Sequence, residues 1–364
     1  IDVFESSKVA FSFWSIAGFT IAGISILQKE RKIPAIMPKL VDLAEFKANF
    51  SLRFKKFIRS DLFILSCILI LAFSLRLYKI NTPLADWHSW RQADTSAVTR
   101  NYVKHGVNLL YPTFDDLSNV ASGKNNPNGF RFVEFPLYNF ASVFIDKIFV
   151  GYNLEVSQRL TSIFATLCSI IFLFLLVRKY LGRKEAILSA ILFSILPYNI
   201  FFTRVILPEP FLVFTSLGMI YFFDKLIEKY LTFNIKHLTI KSLLSLIFVL
   251  LISLFFTISS ILVKPFAVFL FLPMAYLWIK KLGWSVKTII GLLVYLAIGL
   301  LPFIWWRWWI NHFPEGIPAS SWLINSDGIR FRPAFWWWII SERMGREILG
   351  ATGIVLFFIG LIIR

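Results

Sequence analysis

Between residues 86 and 94 the chain reads DWHSWRQAD, which sets two carboxylates, an imidazole, a guanidinium and an amide within nine residues, interleaved with Trp87 and Trp90. This cluster comes just after an apolar run, residues 62–77, rich enough to enter a bilayer. Ionisable groups at such a place are costly and mark function by default. Two roles are open to Asp86. It suits a general base that takes a proton from an attacking hydroxyl at the mouth of a cavity, and equally an N-cap that accepts backbone N–H bonds from the helix that follows. Asp94, two turns on, suits a pair with Arg91 or Arg100 better than a second base.

Other chemistry-bearing residues lie at the ends of apolar runs. Glu209 stands between Pro208 and Pro210 in RVILPEP, at the start of a run. It fits the first turn of a helix, where a carboxylate complements the dipole, and also the second member of a carboxylate pair with Asp86. Arg204 and Lys264 are cations at run ends, placed either to snorkel toward headgroups or to clamp a phosphate, Arg as a fork and Lys as a point charge. Glu134, in VEFPLY, precedes an amphipathic stretch and suits capping or local pairing. His88 invites a divalent metal, but no second histidine or cysteine stands at ligand spacing, so no cofactor is assigned. A Gly-rich phosphate loop and a Walker sequence are both missing.

The elements that must position these residues are membrane spans. Of 364 residues 57% are hydrophobic, 40 of them phenylalanine, and the mean hydropathy is +0.69. A soluble domain of this length cannot hide that much apolar surface, so the fold class is all-α and polytopic. The net charge of +17 would suggest nucleic acid in a soluble protein. Here the basic residues collect in short connections between apolar runs, the pattern of positive-inside loops, and no nucleic-acid partner is expected. Cys67 and Cys168 sit inside apolar runs and imply no disulfide framework.

In chain order the runs are 9–27, 62–77, 156–177, 186–202, 207–223, 243–263, 266–279, 285–306 and 351–363, about nine spans in a multi-pass cell-membrane protein. Residues 1–61 form an extra N-terminal unit, the span 9–27 followed by a basic cytoplasmic segment in which 40–58 has helical periodicity. Residues 62–364 form the core. The alternation of basic turns puts Asp86, Arg204, Glu209 and Lys264 on the outer face. The first outside segment, 80–155, is expected to hold amphipathic juxtamembrane helices, one presenting Trp87, Trp90, Ala97, Val98 and Tyr102 on a single face and another over 135–149.

The succession DWHSWRQAD, NLLYP at 108–112, VEFPLY at 133–138, LPEP at 207–210 and LVKPFAVFLFLP at 262–273 resembles the polyprenyl-phosphate-sugar-dependent glycosyltransferases of the GT-C fold. It is similar in particular to the bacterial branch related to dolichyl-phosphate-mannose protein mannosyltransferases and to the lipid A aminoarabinose transferase. The resemblance runs from residue 62 to the C-terminus. It implies an acid in the first outside loop acting near the acceptor and a second acid in the turn before the fourth core span, positions held by Asp86 and Glu209. Relatives carry Asp-Glu where this chain has Asp86-Trp87. In relatives the LVKP turn holds a lysine near the donor phosphate, here Lys264. Because relatives commonly have more spans and an outer C-terminal domain, the core is expected to be C-terminally incomplete.

The expectation is therefore inverting transfer of a sugar from a polyprenyl-phosphate donor to a hydroxyl of a lipid, glycan or protein acceptor on the outer face of the bilayer. Lys264, Arg204 and Arg91 would hold the donor phosphate. Trp87, Trp90, His88, Asp94 and Glu134 would position substrate. The rival from another class, a transporter or flippase of a lipid-linked or anionic solute, predicts ionisable groups near span centres, whereas a non-catalytic envelope subunit gives no reason for Asp86, Glu209 and Lys264 to share one face.

Overall fold

The computed structural model describes residues 60–84, 86–233, 239–319 and 325–362. The expected span 9–27, the amphipathic stretch 40–58 and nearly all of the N-terminal unit 1–61 lie outside the described residues. What is described is all-α, about 75% helical and without strands. In chain order the helices are α1 (Asp61–Arg76), α2 (Ser89–His105), α3 (Leu137–Ile148), α4 (Leu154–Tyr180), α5 (Arg183–Ile195), α6 (Pro197–Phe202), α7 (Glu209–Thr232), α8 (Ile240–Val263), α9 (Phe271–Leu282), α10 (Val286–Ile310), α11 (Pro333–Trp337) and α12 (Gly350–Ile362). A 3-10 turn, Pro265–Leu270, leads into α9, and a π-helical stretch, Trp338–Leu349, links α11 to α12.

Among the described residues five segments are long and apolar enough to cross a membrane: α4, α7, α8, α10 and the continuous Pro265–Leu282. This is a polytopic helical membrane protein, with fewer full-length spans among the described residues than the sequence suggests. The run 62–77 forms a helix of 16 residues, short of the roughly 20 needed to cross a bilayer, and the described part of 351–363 lies in α12. The run 186–202 is broken. Pro197 has no N–H to offer the carbonyl of Phe193, so α5 stops at Ile195 and α6 starts afresh. The freed carbonyls are met by the buried Arg76, which donates to Ser194 O at 3.1 Å and Phe193 O at 3.4 Å.

The described chain divides into two compact units. One holds residues 60–78, 173–200 and 336–362. In it α1 packs on α5, and Asp61 in the first turn of α1 pairs with Arg178 and with Arg183, the latter at 2.5 Å. Cys67 is exposed on α1.

The other unit, 79–172 and 201–335, carries the candidate site. Its frame is the antiparallel pair α7 and α8, which approach closely where side chains are small. A Cβ on Gly218 would come within 2.3 Å of the Phe256 ring, and Ser216 and Ser260 share a hydrogen bond of 2.8 Å. Helices in lipid associate through such close contacts, since apolar burial gives them little drive. Tyr295 of α10 joins the pair through Ser253 and Thr257 of α8, at 2.6 and 2.8 Å. This register brings the start of α7, two turns before Ser216, beside the end of α8, one turn after Ser260.

The helices expected in segment 80–155 form as α2 and α3, with one correction. The buried face of α2 is Arg91, Gln92, Thr95, Ala97, Val98, Thr99 and Tyr102. Trp87 precedes the helix, and Trp87 and Trp90 are 52% and 47% exposed. The tryptophans therefore do not share the buried face with Ala97, Val98 and Tyr102. The reason is the composition of the cluster itself: Arg91 and Gln92 have partners in the interior, and turning them inward turns Trp90 out.

Candidate active site

Asp86 lies between α1 and α2, half-buried, and does not cap α2. The N-cap is His88, in the left-handed region at φ 61, with no capping hydrogen bond from its side chain. The Asp86 carboxylate instead accepts from Gln92 Nε2 at 2.5 Å. Gln92 is fully buried and uses its whole amide. Nε2 also donates to the Trp87 carbonyl at 3.1 Å, and Oε1 accepts from the Ile206 backbone N–H at 3.1 Å. The backbone bond fixes which end of the amide faces Asp86. It also ties Asp86 to the turn 203–208, which carries Arg204 and leads straight into Glu209.

Glu209 opens α7 within the first turn but makes no capping bond. Its Oε1 lies 3.2 Å from Lys264 Nζ, the C-cap residue of α8, and its Oε2 is buried with no hydrogen-bond partner among the described residues. Lys264 also lies 3.9 Å from Glu134 Oε2. Glu134 neither caps α3, whose N-cap is Pro136, nor pairs locally. Both its oxygens accept from Arg91 Nη2, 43 residues away, at 2.6 and 2.7 Å. Backbone registers these residues, because the Phe135 N–H donates to the Leu262 carbonyl at 3.1 Å. VEFPLY is thereby clipped to the end of α8, two residues before Lys264.

The result is a buried row, Arg91–Glu134–Lys264–Glu209, whose side chains are 3 to 9% exposed. Burial pushes the Glu134 carboxyl up, but Arg91, Lys264 and Arg131 outweigh it and hold the group below its usual value. Burial likewise pulls the Lys264 ammonium down, and the Glu209 and Glu134 carboxylates outweigh that and hold it above its usual value. Both groups are thus kept charged by each other.

Asp94 pairs with Arg131 at 2.8 Å, where spacing along the helix had favoured Arg91 or Arg100, and Arg100 pairs with Asp115. Arg131 also stacks its guanidinium over Phe114, 4.8 Å from the ring centre. Arg91, Arg131 and Glu134 line a small cleft with Thr95, Val98 and Asn139. Asp86, Glu209 and Lys264 are not among its walls.

Of the three cations expected around a phosphate, Arg91 and Lys264 are therefore engaged by carboxylates. Arg204 is buried in the turn after α6, 5.5 Å from the Phe201 ring centre. Trp87 stacks on His88, with centroids 5.0 Å apart, and His88 packs near Phe202. The imidazole belongs to an aromatic patch, and among the described residues no three His, Cys, Asp or Glu side chains gather at a metal-holding distance.

Several residues that build the site were not singled out by sequence reasoning. Tyr138 of α3 donates to the Gln158 carbonyl at 2.9 Å and shares a 3.0 Å hydrogen bond with Ser162, which donates to the Val205 carbonyl at 2.8 Å. This chain joins α3 and α4 to the turn that holds Gln92. Asn139 binds α2 through the Thr95 carbonyl at 2.8 Å and Thr99 Oγ1 at 2.9 Å. Arg159 of α4 is buried and donates to the carbonyls of Ile80 and Thr82 at 2.6 and 2.5 Å, bracing the segment that leads to Asp86. An arginine inside an apolar run was the available signal for it. No family model, no curated protein and no solved structure matches this chain, so its own residues carry the functional reading.

Proposed function

We propose that this protein is a membrane glycosyltransferase that moves a sugar from a polyprenyl-phosphate donor to a hydroxyl acceptor on the outer face of the membrane. The observation that supports it most is the mounting of Asp86. One oxygen of this carboxylate is held by a buried amide whose orientation is set by the Ile206 N–H, and the other accepts no hydrogen bond among the described residues. A carboxylate held in this way, at the end of apolar spans, is suited to receive a proton from a bound hydroxyl.

In the proposed reaction the acceptor O–H loses its proton to Asp86 as its oxygen forms a bond to the anomeric carbon. The bond from that carbon to the phosphate oxygen breaks on the opposite face, polyprenyl phosphate leaves, and configuration inverts. The leaving group is already an anion, so cations near it matter more than an acid. Glu209, whose Oε2 is unpartnered, would accept a hydrogen bond from a sugar or acceptor hydroxyl. The row Arg91–Glu134–Lys264–Glu209 would hold it in place. Trp87 and Trp90, exposed beside Asp86, would supply stacking surface, with His88 beneath Trp87, while Asp94 and Arg131 would brace α2.

The transporter reading draws on one observation, the buried Arg159 within α4. The test separates the two. The purified chain is reconstituted in liposomes with polyprenyl-phosphate sugars labelled in the sugar, together with a membrane extract as acceptor. Release of unglycosylated polyprenyl phosphate with label in a new product is the expected result. Movement of intact labelled donor between leaflets, with no new product, would overturn the enzyme reading in favour of a flippase.

A further inference from the structure

Three hydroxyls of the spanning helix α4 serve their own helix. Thr161, Thr166 and Ser169 each donate to the carbonyl four residues back, on Ser157, Ser162 and Ala165, at 3.0, 2.8 and 2.8 Å. This back-bond is the usual course for a hydroxyl in a helix interior. Ser162 departs from it. The carbonyl four residues before it belongs to Gln158 and is taken by Tyr138 Oη of α3, at 2.9 Å. Ser162 Oγ, 3.0 Å from the same tyrosine, sends its proton away from α4 to the Val205 carbonyl at 2.8 Å.

What Ser162 grips there is one side of a single peptide unit. The Val205 carbonyl and the Ile206 N–H belong to the same planar group, and because the bond is trans they point in opposite directions. The carbonyl takes Ser162 and, from within the turn, the Leu207 N–H at 2.9 Å, while the Ile206 N–H donates to Gln92 Oε1 at 3.1 Å. Tyr138, Ser162, Val205, Ile206 and Gln92 are each no more than 1% exposed, so water does not stand in for a lost partner. The way this peptide faces decides what Asp86 meets. With the N–H toward Gln92, the amide presents Oε1 to it and Nε2 to the Asp86 carboxylate, 2.5 Å away. Turned over, the peptide would show Gln92 a carbonyl, Nε2 would rotate toward it, and Oε1 would face Asp86, acceptor against acceptor.

We infer that Ser162 is a positioning residue for Asp86 and that Tyr138 commits it to that task. The tyrosine occupies the Gln158 carbonyl, which leaves the serine to lock the peptide between Val205 and Ile206. That peptide orients the Gln92 amide, and the amide holds the carboxylate. Both residues act through Gln92. That Asp86 then receives a proton rests on the proposed function; the hold on Gln92 does not.

The test reads Gln92 directly. The chain has three glutamines, Gln28, Gln92 and Gln158, so their side-chain amides, isotope-labelled on nitrogen in the full chain in nanodiscs, can be followed separately by magnetic resonance as they exchange hydrogen with heavy water. In Ser162→Ala the Gln92 amide should exchange at least about tenfold faster, while Gln158, whose Nε2 donates to Ser96 Oγ at 2.7 Å, keeps its wild-type rate. Tyr138→Phe should do the same with Ser162 still in place, since the freed Gln158 carbonyl lets the serine fall back on its own helix. This second variant carries the test if the alanine variant folds poorly. Wild-type exchange at Gln92 in both variants, or equal acceleration of Gln92 and Gln158, would overturn the inference and leave Ser162 a packing residue. Acceleration in Ser162→Ala but not in Tyr138→Phe would overturn the part given to the tyrosine. Under the proposed function kcat should fall by about tenfold in Ser162→Ala with KM little changed, and the same change made in Gln92→Leu should cost little more. Losses that simply multiply would overturn the route through Gln92. A wild type that transfers no sugar would sink the proposed activity and leave the exchange result standing.

Discussion

Lys264 Nζ lies 3.2 Å from Glu209 Oε1, joining the C-cap residue of one span to the first residue of another. The two charges are buried together, and Glu134 completes the lysine's surroundings at 3.9 Å. A buried pair is weak evidence of net stabilisation, but removing one partner strands the other, at a cost of about 3–5 kcal/mol. Lys264→Met should lower stability by that order, measured by unfolding in mixed micelles. The double change Lys264→Met with Glu209→Gln should recover part of the loss, because fewer unpaired charges remain; no recovery would show that the two residues do not act as a pair.

The same row predicts a pH profile. The Glu134 pKa is lowered in the fold, so its contribution is fully present above its ordinary value of 4.5 and is lost as pH falls toward the folded value. The Lys264 pKa is raised, so its contribution is fully present below its ordinary value of 10.5 and is lost as pH rises through the folded value. The melting temperature should be flat from about pH 6 to about pH 9 and fall on both sides. Glu134→Gln should be less stable throughout and show a shallower acid limb, since the proton linkage has been removed. An unchanged acid limb would assign it to other carboxylates.

Gln92 links Asp86 to the Ile206 N–H, so it should matter to chemistry more than to binding. Gln92→Leu leaves that N–H buried without a partner, a loss of about 1–3 kcal/mol, and releases the Asp86 carboxylate. Under the proposed function kcat should fall by about tenfold or more with KM little changed, as happens when a positioned proton acceptor is loosened. Gln92→Glu sets a second carboxylate beside Asp86, and the acid limb of the rate profile should move to higher pH. A drop in stability with no change in kcat would make Gln92 a packing residue only.

Gly218 lets α7 and α8 approach, because a Cβ there would fall 2.3 Å from the Phe256 ring. Gly218→Ala should cost about 1–3 kcal/mol by overpacking, and Phe256→Leu in the same chain should return part of it. Since this helix pair brings Glu209 to Lys264, Gly218→Ala should also reduce activity although it lies outside the site. Full activity and stability in the single variant would show that the ring can simply turn aside.

Composition alone pointed to an all-α membrane protein, because no soluble core could cover 40 phenylalanines. The spans that appear at full length as single α-helices, α4, α7, α8 and α10, are those with long apolar runs and no internal break signal strong enough to stop them; Pro302 within α10 is tolerated. The run 186–202 fails because apolar content measures affinity for lipid, while Pro197 decides hydrogen bonding. Asp86, Glu209 and Lys264 stood out as ionisable groups at span ends. Their partners did not, since Arg91 meets Glu134 across 43 residues and Asp86 meets the Ile206 turn only through Gln92. Arg159 was visible as a charge inside an apolar run, but its bonds to the Ile80 and Thr82 carbonyls are a property of packing in three dimensions that spacing cannot show.

The central claim is that Asp86 receives the proton of the attacking hydroxyl. It is tested most directly by single-turnover sugar transfer with wild type and Asp86→Asn, reconstituted at equal amounts and matched for melting temperature. Asparagine keeps the shape and the contact with Gln92 but cannot take the proton. The rate for Asp86→Asn should fall by about a hundred- to ten-thousandfold with donor binding intact, and near-normal transfer by this variant would contradict the assignment.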